Sequence, residues 1–284
     1  MKSVGSKSNA SVLIVDIRNF TSNLSNCRDT LDGSNPFCDF LSHFYDYCVR
    51  VCETACQSDL PDSLYVNSTG DGILGVFLSP ERHFLTAYLA GIVLANGLGR
   101  LCANYNKRKS KSIPDVSFGI GIDSGSVRRV ASDSANKLDS KLETYIGNCI
   151  NVASRIESIT KDHARTTMLI SEQINWLLCR HFFKEDYRQL MRDALSTASP
   201  TKRRKLWGRM GALNESLLVG YMHAHNLRGV SEPMPVFRLS PTLADPKHSE
   251  FRGLLSKLCL NQNHLKSINK LLTRPTPHPT SSTR

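Results

Sequence analysis

The sequence lacks any apolar stretch near the roughly 20 residues that span a bilayer, which excludes a transmembrane protein. Residues 1–9 contain no apolar segment of the kind that begins a secreted protein, which excludes a cleaved signal peptide. The nine cysteines include no Cys-x-x-Cys pair, which argues against a disulfide scaffold and a zinc ribbon. Together these absences predict a protein of the reducing cytoplasm.

Positive charge is in excess, because 36 Lys and Arg stand against 25 Asp and Glu, a net charge of +11. Such a balance admits polyanionic partners: nucleic acid, a membrane surface or nucleotide phosphates. The basic clusters at residues 107–111 and 202–205 lack interleaved aromatic residues and match no nucleic-acid reader motif. We therefore interpret them as solvated loops and expect no nucleic-acid partner and no membrane partner.

Hydrophobic periodicity predicts alternating strands and helices. Residues 11–15 form an apolar run that predicts a buried strand, and residues 37–57 carry apolar side chains at helical spacing. Cys48, Cys52 and Cys56 share one face of that helix, which we assign to core packing rather than to a metal. The other predicted elements are a hairpin with arms 64–67 and 73–77, a helix over 80–106, strands over 116–122 and 127–130 joined by a turn at Ser124–Gly125, a helix ending near 160, a strand over 167–170, a helix over 171–180 and strands over 217–227 and 234–239.

This element order predicts an α/β fold of the α+β sandwich type, with helices over a mostly antiparallel sheet. Residues 1–10 are expected to be a polar lead, residues 11–240 one domain, and residues 180–212 an insertion in it. Residues 241–284 are expected to form a basic tail with one short helix over 251–260 and a disordered end.

Two carboxylates follow predicted strands at sharp turns. Asp16 follows the first strand directly, and Asp71 lies in the Gly70-Asp71-Gly72 turn. If the two strands are neighbours, these acids lie side by side, and adjacent carboxylates repel unless a cation joins them. Hard oxygen ligands suit Mg²⁺ or Mn²⁺. The alternative is that Asp71 is only the turn residue of a hairpin.

Two further segments have the chemistry of nucleotide binding. Residues 17–21 form a turn whose backbone N–H groups suit phosphate oxygens. After Gly147, Asn151 and Arg155 stand four apart and so share one helical face. An amide beside a guanidinium suits a ribose and a phosphate, and the alternative is a solvated surface pair.

Together these segments resemble the catalytic domain of the class III nucleotidyl cyclases, the family of adenylate and guanylate cyclases. The resemblance runs from Ser11 to Leu239, with insertions near residues 26–36, 132–140 and 180–212. The matching strings are Val-Asp-Ile-Arg-Asn-Phe-Thr at 15–21, Gly-Asp-Gly at 70–72, Gly-Ile-Gly-Ile-Asp-Ser-Gly at 119–125, Gly147 through Arg155, and Leu-Arg-Gly-Val-Ser-Glu-Pro at 227–233.

The resemblance implies a ferredoxin-like cyclase homology domain that forms a homodimer, with two active sites at the subunit interface. Each site would bind a nucleoside triphosphate and two Mn²⁺ or Mg²⁺ ions. The roles it implies are metal binding by Asp16, the Ile17 carbonyl and Asp71, triphosphate binding around Phe20 and Thr21 and by Arg228, ribose orientation by Asn151, and stabilisation of the α-phosphate by Arg155.

Two positions select the base in the family, and here they are Asn67 and Thr144. The first is Lys in adenylate cyclases, and the second is Asp, or Thr in many bacterial members. Neither the Lys/Asp pair of adenylate cyclases nor the Glu/Cys pair of guanylate cyclases is present. In this respect the chain is similar to bacterial anti-phage pyrimidine cyclases, which make cyclic UMP or cyclic CMP for a separately encoded effector. The amide of Asn67 can meet either pyrimidine edge, so CTP stays open. We favour UTP because uridylate cyclases are the more common members of that group.

Two alternatives remain at this point. One is an adenylate cyclase that uses Thr144 and a relaxed base pocket. The other is a non-catalytic cyclase-homology module that serves dimerisation or nucleotide binding. No sensor or anchor segment is recognised, so control is expected through the inserts, the tail or a partner.

Overall fold

The computed structural model describes residues 4–26, 35–57, 62–131, 143–163, 167–228 and 230–273. Over these ranges the chain forms eight strands and nine helices. In chain order they are β1 (Val4–Arg18), α1 (Phe20–Asn26), α2 (Pro36–Cys56), β2 (Leu64–Ser68), β3 (Gly72–Phe77), α3 (His83–Arg108), β4 (Ser117–Ala131), β5 (Glu143–Ile146), α4 (Asn148–Ile159), β6 (Met168–Ser171), α5 (Glu172–Phe183), α6 (Tyr187–Ser196), α7 (Pro200–Ser216), β7 (Val219–His225), β8 (Met234–Leu239), α8 (Ser249–Leu258) and α9 (Gln262–Thr273), with a 3-10 turn (Thr160–Asp162) after α4.

The strands form one mixed sheet in the order β2-β3-β1-β4-β6-β8-β7, and β5 pairs with the far end of β4. Among these pairs only β4 and β6 run parallel, and the others are antiparallel. The predicted α/β class with a mostly antiparallel sheet is therefore confirmed.

The two faces of the sheet are covered by different helices. On β1, Leu13 and Val15 point into the large core with α2 and α3, whereas Val12 points into a smaller core with residues of α4. This division follows from the two-residue side-chain period of a strand. Asp16 therefore lies on the α4 face.

Helix α3 is the centre of the large core. By length and hydropathy alone it is apolar enough to cross a membrane, so the sequence-based statement that the chain lacks such a stretch is wrong. The helix belongs to the core, because 78% of its most apolar window is buried inside the protein. It packs against α2, α5, α8, α9 and the sheet. Close packing with α2 depends on Gly97, where a side chain would overlap Tyr47.

Helix α4 lies close to β4 because three positions on that face are glycine. A Cβ at Gly121 would lie 2.1 Å from the Ala153 carbonyl oxygen, and one at Gly119 would lie 2.2 Å from a Glu157 carboxylate oxygen. At Gly125 a Cβ would approach the Cβ of Cys149 to 3.1 Å. These glycines allow the helix to approach the backbone of the strand.

Two sequence-based predictions about strands are wrong. The expected polar lead over 1–10 is instead strand from Val4 onward, because β1 continues its pairing with β4, from Asp16 opposite Gly119 to Lys7 opposite Arg128. The expected turn at Ser124–Gly125 is absent, and β4 runs unbroken through it. Gly125 makes room for α4 rather than for a turn.

The predicted core role of the three helical cysteines is confirmed. Cys48 and Cys52 are fully buried, and Cys56 is 9% exposed. Burial raises the pKa of the Cys48 thiol and raises that of Cys52 to about 12. Thiols with such pKa values stay protonated at neutral pH, as is usual for cysteines that pack in a core.

The predicted insertion over 180–212 forms mainly α6 and α7, capped by the side chains of Asp186 and Ser199.

The tail is more ordered than expected. Helix α8 corresponds to the short helix predicted over 251–260, and α9 follows it and buries Ile268, Leu271 and Leu272 against α2 and α3. Three expectations lie outside the described residues: the insertion near 132–140, most of the insertion near 26–36, and the disorder of the chain end after residue 273.

Asp123 is a buried carboxyl on the α4 face of β4, 5% exposed and hydrogen-bonded to Ser171. Burial raises its pKa from 3.8 to about 6. The folded protein therefore holds this proton at pH values where the unfolded chain has released it. The stabilisation that the protonated Asp123 gives the folded state is fully present below pH 4, and it is lost as the pH rises through about 6.

We expect Asp123→Asn to raise the free energy of unfolding at pH 8 by about 2–3 kcal/mol, because an amide removes the cost of ionising the buried group. Urea unfolding at pH 5 and pH 8 measures the effect. Asp39→Asn, the same exchange at an exposed position, is the control. Equal pH dependence in Asp123→Asn and the natural protein would contradict the assignment.

Candidate active site

The carboxyl groups of Asp16 and Asp71 meet at one edge of the sheet. Strands β1 and β3 pair in a register that sets Asp16 opposite Gly72, and the Ile17 N–H donates to the Asp71 carbonyl at 2.8 Å. The two side chains are close enough to hydrogen-bond. The predicted proximity of the two acids is therefore confirmed, and Ile17, which follows Asp16 directly in the chain, is paired with Asp71 through its backbone.

The turn that carries Asp71 is fixed by its neighbours. Gly70 has φ +94°, which favours glycine, and the Thr69 N–H donates to the Gly72 carbonyl at 3.0 Å. The hydroxyl of Tyr45, from α2, donates to the Gly70 carbonyl. The position of Asp71 therefore depends on both the hairpin and α2.

The turn after Asp16 is built on Asn19. This residue has φ +61°, which Asn tolerates better than most residues, and its amide donates to the Asp115 carbonyl at 2.8 Å. Its own carbonyl accepts the Asn23 N–H at the start of α1. Of the two residues predicted to bind the triphosphate, Phe20 packs edge-on against Phe37 and Thr21 is exposed.

A cation that the sequence analysis did not identify contacts Asp16. The Nζ of Lys161, in the 3-10 turn after α4, lies 3.0 Å from Asp16 Oδ2 and 3.8 Å from Glu157 Oε2. The Arg18 guanidinium donates to the Thr160 hydroxyl in the same turn. The four-residue spacing of Glu157 and Lys161 was the available sequence signal for the helical pair, but contact with Asp16 depends on how α4 packs.

The charges in this cluster perturb one another. Burial raises the pKa of Asp16, the Lys161 ammonium opposes that rise, and the like charge of Asp71 adds to it. Burial also raises the pKa of Glu157 to about 7 and lowers that of Arg18. Burial alone would lower the pKa of Lys161, but its contacts with Asp16 and Glu157 outweigh this and raise it.

Asn151 and Arg155 lie on the outer side of α4, one helical turn apart. The residues between and beside them, Val152, Ala153 and Ile156, are buried against the sheet, whereas Asn151 is exposed and Arg155 half-buried. Gly147 lies just before the helix. A Cβ at this position would lie 2.5 Å from the Ser126 carbonyl oxygen, so glycine is required for the chain to pass this close to β4. The predicted shared face is confirmed.

Asn151 is separated from the carboxylate pair along α4. Its neighbours in that helix, Cys149 and Ala153, lie against Gly125 and Gly121 of β4, whereas Asp16 pairs with Gly119. Lys161, which contacts Asp16, follows Asn151 by ten residues, about 15 Å at 1.5 Å per residue. The Asn151 side chain is exposed on the outer side of the helix, where it lines a cavity of about 440 Å³ with Lys7 and Arg128.

The two candidate base-selecting residues lie on strands that are linked through Tyr65. Asn67 is exposed on β2 and Thr144 is exposed on β5. The Tyr65 hydroxyl donates to the Glu143 carbonyl at 2.8 Å, and its ring lies 5.2 Å from that of Tyr145. Arg228, predicted to contact the terminal phosphates, is exposed in the connection between β7 and β8.

The donor set at Asp16 and Asp71 fits a divalent ion. Over the described part of the chain, no three His, Cys, Asp or Glu side chains form a group that could hold a metal ion. That agrees with the coordination of Mg²⁺, which proteins usually hold through one or two carboxylates, waters and substrate phosphates. Asp16 already holds a cation, because the Lys161 ammonium lies on it.

Comparison with solved structures shows the fold. The chain is similar to the adenylyl cyclase CyaB from P. aeruginosa, with a TM-score of 0.55 and 16% identity over 82% of this chain and 94% of that one. It is also similar to a bacterial light-regulated adenylyl cyclase (TM-score 0.53, 13% identity, 93% and 58% covered) and to the guanylyl cyclase Cya2 (TM-score 0.50, 17% identity, 84% and 94% covered). The protein thus has the fold of class III nucleotidyl cyclase catalytic domains.

In sequence, the chain is 30% identical over 115 residues to an adenylate cyclase of Anabaena cylindrica. That match covers 40% of this chain and about a fifth of the length of the relative, 22%. No protein-family model matches the chain.

Gly72 is the position on which the carboxylate pair depends most directly. A Cβ there would lie 1.9 Å from the backbone oxygen of Val15. We expect Gly72→Ala to separate β1 from β3 and to lower the free energy of unfolding by about 1–3 kcal/mol, measured by urea unfolding. Gly99→Ala on α3, where a Cβ meets nothing within 4 Å, should instead be neutral or stabilising. A Gly72→Ala protein as stable as the natural one would contradict the register.

Proposed function

We propose that the protein is a nucleotidyl cyclase that converts a pyrimidine nucleoside triphosphate, UTP or CTP, to its 3′,5′-cyclic monophosphate and pyrophosphate. The observation that carries the proposal is the juxtaposition of Asp16 and Asp71 at the sheet edge, on a chain with the cyclase fold. The retained Asn151 and Arg155 add to it, because a binding module has no physical need for both carboxylates and this pair.

The reaction forms a bond between the ribose 3′-oxygen and the α-phosphorus. It breaks the bond from that phosphorus to the oxygen bridging the α- and β-phosphates, so that pyrophosphate leaves and the 3′-hydroxyl loses its proton. Divalent ions bound at Asp16, the Ile17 carbonyl and Asp71 would lower the pKa of the 3′-hydroxyl and neutralise the leaving pyrophosphate. The remaining work of the protein is positioning and electrostatic stabilisation.

In this proposal Asn151 orients the ribose and Arg155 stabilises the charge that develops on the α-phosphate. The backbone at Phe20 and Thr21 and the side chain of Arg228 bind the triphosphate. Asn151 is exposed on the outer side of α4, about 15 Å of helix from the turn that contacts Asp16, so it faces away from the carboxylates of its own chain. A homodimer, in which α4 of one protomer faces the carboxylates of the other, supplies a complete site.

The pyrimidine assignment depends on Asn67 and Thr144, which are both exposed and uncharged. Asn67 offers one carbonyl and one NH₂ group, and these can meet the edge of uracil or of cytosine. The proposal includes a cytoplasmic enzyme whose cyclic product acts on a separate effector in defence against phage.

A second candidate is an adenylate cyclase. It is favoured by the 115-residue similarity to the adenylate cyclase of Anabaena cylindrica and by Thr144, whose hydroxyl can meet the edge of adenine.

Incubation of the purified protein with ATP, GTP, CTP or UTP and Mn²⁺ or Mg²⁺, followed by mass spectrometry, tests the function. We expect cyclic UMP or cyclic CMP, and we expect Asp71→Ala to lower the rate at least about 100-fold because it removes a metal ligand. Cyclic AMP would establish the second candidate. Near-normal turnover by Asp71→Ala would contradict the metal assignment. No product from any of the four nucleotides would favour a non-catalytic module.

Mixing two inactive variants tests the shared site. We expect Asp71→Ala and Arg155→Ala to be inactive separately and to recover about a quarter of the natural activity when mixed and allowed to exchange subunits. Half of the dimers are then heterodimers, and one of their two sites has Asp71 from one protomer and Arg155 from the other. No recovery, with subunit exchange verified by differently tagged chains, would rule out a composite site.

A further inference from the structure

We propose that Lys161 is a built-in counter-ion that occupies the place of a divalent ion at Asp16 and has to leave before the ion can bind. This inference rests on the proposed function, because it assumes that Asp16 and Asp71 bind metal. It adds a residue that controls metal affinity and lies outside the motifs that suggest the activity.

The contacts of Lys161 are those of a shared cation. Its ammonium lies 3.0 Å from Asp16 Oδ2 and 3.8 Å from Glu157 Oε2, and Asp16 in turn is close enough to Asp71 for a hydrogen bond. The Glu157 side chain is only 4% exposed. Asp16 therefore has two carboxyl neighbours, Asp71 directly and Glu157 through Lys161, and like charges so close are stabilised by a cation beside them.

Among the described residues, two cations lie beside Asp16, and Lys161 is the more mobile of them. Arg18 is half-buried and its guanidinium is bound to the Thr160 hydroxyl. The Lys161 side chain is 48% exposed and is connected through a flexible four-carbon chain. It can rotate into solvent without disturbing the backbone of the turn.

Lys161 and a metal ion exclude each other at Asp16. A divalent ion held by that carboxylate would lie within a few ångströms of the ammonium, and two cations so close repel strongly at a partly buried site. A free ion therefore binds only against competition from Lys161. A nucleotide-bound ion avoids part of this penalty, because its phosphate oxygens offer the displaced ammonium a new partner.

The test is direct measurement of Mn²⁺ binding to the full-length protein without nucleotide, from the electron paramagnetic resonance signal of free Mn²⁺. We expect Lys161→Met to raise the affinity about tenfold or more, because it removes the competing charge and keeps the length of the side chain. Lys161→Gln should do the same, and Lys161→Arg should keep the natural affinity. Lys205→Met, an exposed lysine on α7, is the matched control and should change nothing.

The outcomes separate the inference from the function it rests on. If Asp71→Asn weakens Mn²⁺ binding but Lys161→Met and Lys161→Gln bind like the natural protein, the metal site stands and the role of Lys161 is overturned. If Mn²⁺ binding is absent from the natural protein and from all variants, the metal assignment itself fails. Circular dichroism confirms that each variant is folded.

Discussion

The pairing register between β1 and β3 determines where the candidate active site can form. It sets Asp16 opposite Gly72, so that the acid at the end of one strand and the acid in the neighbouring turn share one edge. A slip of one residue would move Asp16 from the α4 face to the face that packs against α2 and α3. Gly72 helps to specify this register, because no side chain fits beside the Val15 carbonyl.

On the α4 face of the sheet, packing brings carboxyl groups close together, and their negative charges would repel without a cation beside them. Glycines on β4 let α4 approach the sheet, and this close packing brings Glu157, Thr160 and Lys161 to the end of β1. Burial alone would favour neutral carboxyl groups at Asp16 and Glu157, and Lys161 favours the charged form of both. The fold thus maintains a site with anionic ligands by supplying its own removable cation.

Local elements were predicted well where a single hydrophobic periodicity dominated the segment. The helix at Pro36–Cys56 and the hairpin around Asp71 fall within a residue or two of their predicted bounds, because apolar spacing and the Asp-Gly turn act locally. The adjacency of Asp16 and Asp71 was predictable from two strand ends. Lys161 was not, because its contact joins residues that only the packing of α4 brings together.

Other errors have the same cause. Gly125 is typical of a turn in a short window, but its neighbour in space is Cys149, 24 residues later in the chain. The polar residues at the start of β1 form a strand because β4 satisfies their backbone groups, not because of their own pattern. Helix α9 was missed since its short apolar stripe is meaningful only against α2 and α3.

The burial of α3 has a consequence for how the protein is made. This helix is as apolar as a membrane span, yet several of its partners, β6, α5, α8 and α9, follow it in the chain. A ribosome that adds 5–20 residues per second needs roughly 10–30 s to pass from the end of α3 to the end of α9. During that interval α3 has an incomplete core, so part of its apolar surface is open to aggregation until the later elements fold over it.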